Sequence, residues 1–168
     1  MSAAMQTEAL GLAAWQALDS QQRAAVALLQ ISPEQIEYAG TVARAIEACE
    51  ADDGREVLGI ALQHGATVVG FLACKRGKAA PAWAPVGAAV ISGLRIDAHW
   101  QGKGMATAAL RLLPTWLAQH WPESRQIVLS VDEDNLAGIR AYEKAGWVDM
   151  GVRVEGRIGW VRQMACAI

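Results

Sequence analysis

The sequence predicts one mixed α/β domain, and three observations carry that expectation. Its 168 residues suit a single domain with a sizeable core. Hydrophobic residues make up 53% of the chain and charged residues 19%, a balance that favours folding over disorder. Strand-like apolar runs alternate with segments of helical period, some strands separated by helices and others by tight turns. No repeat, low-complexity tract or linker interrupts this order. Residues 1–10 have the composition of a frayed tail, which leaves 11–168 as the domain.

Taken in order, residues 12–18 read as a short strand and 20–30 as a helix. Ser32-Pro33-Glu34-Gln35 has the form of a helix start: a capping serine, proline at the first position, and Glu and Gln behind it. Residues 41–50 form an amphipathic helix, with Val42, Ala45, Ile46 and Cys49 at helical spacing. Asp52-Asp53-Gly54 is a turn, and residues 57–62 and 67–74 form a hairpin about His64-Gly65. A loop rich in Gly, Pro and Ala over 75–85 precedes a long strand, 86–96, within which Gly93 marks a bulge or a close backbone approach. A helix over 105–120 buries Ala106, Leu110, Leu113 and Leu117 and is kinked at Pro114, which deprives the Leu110 carbonyl of its amide partner. Residues 126–131 form a strand, Asn135 caps a helix that Gly146 ends, and strands over 148–154 and 157–164 close the chain around Glu155-Gly156.

Composition excludes several function classes. A net charge of −2 provides no electrostatic footprint for nucleic acid. No apolar stretch suffices to span a bilayer, and residues 1–10 lack a basic region followed by an apolar run. Cys49, Cys74 and Cys166 are odd in number and widely spaced, as expected of a reducing cytoplasmic setting. His64, His99 and His120 share no ligand spacing, so no metal is expected. Seven tryptophans against one phenylalanine are first of all core material.

The most informative stretch is Gln101-Gly102-Lys103-Gly104-Met105-Ala106, between the long strand and the helix after it. Glycines allow close backbone approach, and the first amides of a helix, together with its dipole, favour an anion. The loop is not a Walker loop. Nor is it a dinucleotide fingerprint, since Thr107 stands where the third glycine belongs. In isolation it reads better as a tight strand-to-helix turn.

A second motif changes its meaning. Asn135 follows the strand ending near Val131, Tyr142 stands seven residues on, and Gly146-Trp147 follows four and five residues later. Together with Gln101, Gly104 and Ala106, this resembles the GCN5-related N-acetyltransferase (GNAT) family, with Trp147 where the family usually has Phe. The resemblance covers about residue 86 to the end and extends more faintly back to about residue 12. It implies a GNAT fold of the α/β (α+β) class, a mixed and mostly antiparallel sheet with helices on both faces.

By resemblance the substrates are acetyl-CoA and a primary amine, and the fold allows a homodimer. Amides of Gly102, Gly104, Met105 and Ala106 would hold the CoA pyrophosphate, with the Thr107 hydroxyl and the Lys103 charge as additional contacts. Backbone groups of Leu94 and Ile96, left free where two strands splay apart, would pair with the pantetheine arm. Arg95 and Asp97 alternate to the other face as solvated charges. Tyr142 matches the general-acid tyrosine, although at helical spacing from Ile139 it is also a core anchor. Asn135 is a helix cap first and a cofactor contact second.

The strand before the glycine loop, residues 87–93, carries no carboxylate to serve as base. His99, Glu37, Asp132 and Glu133 remain as candidates, and none is singled out. Pro33-Glu34-Gln35 with Tyr38, and Ile96-Asp97 with Trp100-Gln101-Gly102-Lys103-Gly104, are similar to the polyamine-type branch, in which residues 33–40 would border the acceptor. Glu34 and Glu37 are then either attractors of a cationic amine or solvated helix carboxylates. Acetylation of a protein N-terminus or lysine, and acyl-CoA binding without turnover, are the alternative functions.

Overall fold

Alternating apolar residues assemble seven strands into one sheet: β1 Leu10–Ala14, β2 Val57–His64, β3 Thr67–Lys75, β4 Ala89–Ile96, β5 Gln126–Asp132, β6 Val148–Glu155 and β7 Trp160–Ala167. Their spatial order is β1-β2-β3-β4-β5-β7-β6. Every pair is antiparallel except β4 with β5. Five α-helices cover the sheet: α1 Ser20–Ala27, α2 Pro33–Ala39, α3 Val42–Glu50, α4 Met105–His120 and α5 Leu136–Lys144. The computed structural model describes residues 9–168. The expected tail therefore lies mostly outside the described residues, and Leu10 already belongs to β1.

The period of two divides β2 between two cores. Leu58, Ile60 and Leu62 face Leu110, Leu113 and Leu117 of α4 and Ile139 of α5. Val57 and Ala61 face the other way, toward Trp15, Val26 of α1, and Val42, Ala45 and Cys49 of α3. Burial of each large side chain is worth about 1.5–3 kcal/mol, so both helical layers are held hydrophobically. The mixed, mostly antiparallel sheet between two helical layers is the expected fold.

Several local boundaries differ from the sequence reading. The first strand ends at Ala14, and a short 3-10 turn at Trp15–Ala17 replaces its second half. Trp15 turns inward onto Phe71, edge to face at 5.9 Å. A capping box between Asp19 and Gln22 then starts α1. The long strand starts at Ala89 rather than 86, because the chain turns from Pro85 to Ala88 and leaves Val86 exposed. In α4, Ala109 joins the buried leucines and Ala106 is only partly covered; the helix continues through Pro114.

Two features of β4 shape the site. Its parallel ladder with β5 consists only of Ala89–Ile127 and Val90–Val128, after which the strands part. On its other edge, Phe71 pairs with Arg95 and Ala73 with Ser92, so β4 carries one extra residue between them. Gly93 absorbs that bulge at φ 74°. A Cβ there would lie 2.7 Å from the Ala39 carbonyl, so the glycine also admits α2.

Arg95 is a correction. Expected in solvent, it is 4% exposed, on the face of β4 that meets α2. Its Nε donates to the Gly40 carbonyl at 2.9 Å and its Nη1 to the Gly93 carbonyl at 3.0 Å, while Nη2 donates to the Ala39 carbonyl. Burial pulls the guanidinium down to about 10, which leaves it charged at neutral pH. It completes the carbonyls at the end of α2, which itself buries no residue. Sequence alternation gave the correct face but not this occupant. Arg95→Ala leaves those carbonyls without their donor and is expected to cost about 2–4 kcal/mol, read as a lower denaturant midpoint at an unchanged slope.

Candidate active site

The separation of β4 from β5 opens a cavity of about 510 Å³ through the sheet. On the α4 and α5 side it is lined by Gly102, Gly104, Met105, Ala106, Thr107, Asn135 and Tyr142. On the α2 side it meets Glu34, Gln35, Tyr38, Ser130 and Asp132. Alternation along β5 explains the division: Leu129 and Val131 face the α4–α5 core, so Ser130 and Asp132 face the other way.

The glycine loop has the geometry of an anion cradle. Gly102 and Gly104 hold φ of 73° and 79°, and a Cβ on either would meet no protein atom within 4 Å. Their requirement is for backbone conformation, and the space above them is free. No side chain caps α4, whose first helical bond runs from the Ala108 amide to the Gly104 carbonyl. The amides of Met105, Ala106 and Thr107 thus precede the ladder, at the positive end of a sixteen-residue helix. Lys103 points elsewhere: its Nζ lies 5.1 Å from the Trp100 ring, and it does not line the cavity. Gln101 lines the cavity and donates to the Ile96 carbonyl at 3.3 Å.

Beyond Val90 the edge of β4 has no strand partner on the β5 side. Leu94 lies in the bulge, outside the ladder, and borders the cavity. Ile96 departs from expectation. Its amide donates to Gln35 Oε1 at 3.0 Å, and its carbonyl accepts from Gln35 Nε2 at 2.9 Å. The backbone groups of Ile96 are therefore occupied by a side chain of α2 rather than free.

Asn135 caps α5 by accepting from the Gly138 amide at 3.0 Å, and it also lines the cavity. Tyr142 is 9% exposed, borders the cavity, and packs against Trp147 at 5.7 Å. Burial pushes its phenol up to about 12, so it remains protonated at neutral pH. Anchor and cavity wall are compatible roles for one ring. Trp147 Nε1, by contrast, is buried and has no hydrogen-bond partner among the described residues.

The carboxylates separate clearly. His99 is exposed and bonded to Asp97, whose carboxylate also accepts from the Gln30 and His99 amides. Those bonds hold Asp97 below the usual carboxylate range despite partial burial, so it is a turn-former rather than a solvated charge. Glu133 is engaged by Arg162 at 2.7 Å and by Arg153 at 2.5 Å. Asp132 lines the cavity, and partial burial raises its carboxyl, opposed by Arg157 and reinforced by Asp134 and Glu37. Tyr38 is raised by partial burial and then by Glu34, Asp134, Glu37 and Asp132, which together mark an acidic mouth. Arg157 bridges that mouth from the β6–β7 turn, donating to the Glu37 carbonyl at 2.5 Å.

Sequence reasoning missed Gln35, because a glutamine three residues after a capping serine suggests a local cap. It also missed Arg140 and Lys144, which line the cavity one helical turn apart on α5. Their i, i+4 spacing was the available signal.

The cavity thus passes through the sheet, with an anion cradle on one side and acidic residues on the other. Sequence comparison identifies the kind of protein: the acetyltransferase (GNAT) family profile matches residues 14–147, and the chain belongs to that family. Its members are N-acetyltransferases that take the acetyl group from acetyl-CoA without a metal. An uncharacterized N-acetyltransferase of Bacillus subtilis, YbbJ, is 35% identical over 72 residues, which span 43% of this chain and 45% of that relative. Among solved structures, aminoglycoside acetyltransferase AAC(6')-Ib with coenzyme A superimposes at a TM-score of 0.73, with 21% identity and 95% of each chain covered. Spermidine N-acetyltransferase from Vibrio cholerae, with CoA and spermine, does so at 0.70, with 18% identity over 94% of this chain and 95% of that one. At these identities the two structures establish a shared fold.

Proposed function

We propose that this chain acetylates a small cationic primary amine, of which a polyamine is the best-fitting class. The single observation that carries this reading is the cavity that joins the glycine loop to the acidic mouth through the parted strands. Spermine in one structural relative and an aminoglycoside specificity in another support a polycationic acceptor. A protein N-terminus or lysine is the alternative acceptor, and binding without turnover is the alternative activity.

The donor's pyrophosphate fits the unpaired amides at the start of α4, with Gly102, Gly104, Ala106 and Thr107 around it. Arg140 and Lys144 on α5 supply cationic charge from the same cavity wall. Lys103, turned onto Trp100, is left out of this set. The donor arm follows the open edge of β4 past Leu94 toward Tyr142.

An alkylammonium near the reference lysine pKa of about 10.4 must lose a proton before attack. Asp132 is the carboxylate best placed to hold that ammonium and receive its proton, directly or through water; Glu133 is committed to arginines. The amine nitrogen then attacks the thioester carbonyl, and the C–N bond forms. As the C–S bond breaks, Tyr142 protonates the departing thiolate, a role available to a phenol held neutral by burial. As the tetrahedral intermediate collapses, its nitrogen releases its second proton to solvent; amide product and free CoA then leave, and the proton held by Asp132 restores Tyr142 through solvent.

Thiol release measured against polyamines, arylalkylamines and N-terminal peptides is expected to be fastest with polyamines. Asp132→Asn is then expected to raise the polyamine KM and lower kcat/KM by about tenfold or more. A peptide preferred over every free amine would transfer the function to protein acetylation, and no release with any acceptor would leave a binding domain. Tyr142→Phe is expected to lower kcat on the order of 10²-fold while CoA affinity stays within about twofold. Because burial raises this phenol, kcat in the wild type is expected to rise as the amine deprotonates, without a descending limb below about pH 10. A fully active Tyr142→Phe would reduce the ring to packing.

A further inference from the structure

Helix α2 is an unusual wall for a binding site. It buries none of its residues, so hydrophobic packing does not set its position. Polar fastenings do. Arg95 holds the carbonyls of Ala39 and Gly40 at its C-terminal end, Arg157 reaches the Glu37 carbonyl, and Gln35 grips Ile96 nearer its start. The Gln35 contact is of a different kind from the other two. Its carboxamide donates to and accepts from one residue of an open strand edge, as the backbone of a neighbouring strand would. It occupies hydrogen-bonding groups that face into the cavity, five residues before the glycine loop.

We propose that Gln35 is a displaceable stand-in for a strand on the β4 edge, and that the arm of acetyl-CoA replaces it at Ile96 and thereby releases the start of α2. This rests on the donor path described above. An extended amide-bearing arm running along β4 from the glycine loop must pass Ile96 before it reaches Leu94 and Tyr142. It offers the same pair of groups, one donor and one acceptor, that Gln35 offers. Exchange of one pair for the other conserves the hydrogen bonds of Ile96 and costs the protein only the placement of α2.

The consequence reaches the acceptor. Glu34 and Tyr38 of α2 line the acidic side of the cavity. With Gln35 withdrawn, α2 remains tethered by Arg95 and Arg157 over its second half and pivots there, so the acceptor mouth takes its working shape only after the donor has entered. Gln35 is thus a positioning residue that makes donor binding precede acceptor binding. Arg95 is the fixed hinge of the same element, and its buried guanidinium does not line the cavity.

The test is calorimetric titration of free CoA into the wild type, Gln35→Ala and Gln35→Glu, with hydrogen exchange of residues 33–40 followed in each. Because α2 has no buried face, Gln35→Ala is expected to fold, which circular dichroism checks directly. With its competitor removed, Gln35→Ala is expected to bind CoA about three- to tenfold more tightly, while the acceptor KM rises because the wall is loose. Gln35→Glu keeps only the bond from the Ile96 amide and is expected to fall between. CoA is expected to speed exchange over 33–40 in the wild type and to leave it unchanged in Gln35→Ala. A purely structural role would weaken donor and acceptor together. CoA affinity equal to or below that of the wild type in Gln35→Ala, or exchange over 33–40 that slows on CoA binding, overturns the proposal alone. A wild type that binds no CoA overturns the donor path as well, a result distinguishable from the first.

Discussion

The parting of β4 and β5 after two residue pairs is the constraint on which the rest of the site depends. Two strands that stayed paired would satisfy each other's backbone and close the sheet. Here β4 runs on from Ile91 with an edge facing a cavity rather than a strand. Buried backbone groups require partners, so an open edge inside a domain demands either a substitute or a ligand. Gln35 is the substitute at Ile96, and the proposed ligand for this edge is the donor arm. The same gap connects the two faces of the sheet, and in the proposed reaction donor and acceptor meet there from opposite sides.

Opposite electrostatics on the two faces follow from simple local causes. The α4–α5 face is positive because α4 begins at an uncapped glycine and because Arg140 and Lys144 recur one turn apart. The α2 face carries negative charge because Asp132 alternates away from the core on β5 and α2 presents Glu34 and Glu37 opposite. The hydrophobic layers contribute by holding β4 and β5 rigid on either side of the gap. Tyr142 belongs to both systems, a core ring whose burial also keeps its proton in place.

Much of this was legible in the sequence. Strand and helix periods placed most elements to within a few residues, and Gly93 announced both its bulge and its close contact with α2. The local geometry of the two motifs at 101–106 and 135–147 was legible, because glycine at positive φ, a helix start and a capped second helix are local properties. The α2 side of the cavity was less legible, since it is made by residues far apart in sequence. Arg95 meets Ala39 and Gly40, Gln35 meets Ile96, and Arg157 meets Glu37. Arg95 was misread because a charged residue in a strand is normally solvated, and only the nearby end of a helix provides it with carbonyls. Among the base candidates, only the cavity distinguished Asp132 from Glu133, whose arginine partners lie on β6 and β7.

The central claim is that donor and acceptor meet in the gap between β4 and β5. A crystal structure with acetyl-CoA and a non-reacting polyamine analogue tests it most directly. The account predicts the pyrophosphate on the amides that begin α4, the thioester between the parted strands beside the Tyr142 hydroxyl, and the analogue's ammonium at Asp132. A donor arm that runs outside the gap, with its sulfur remote from Tyr142, would contradict it.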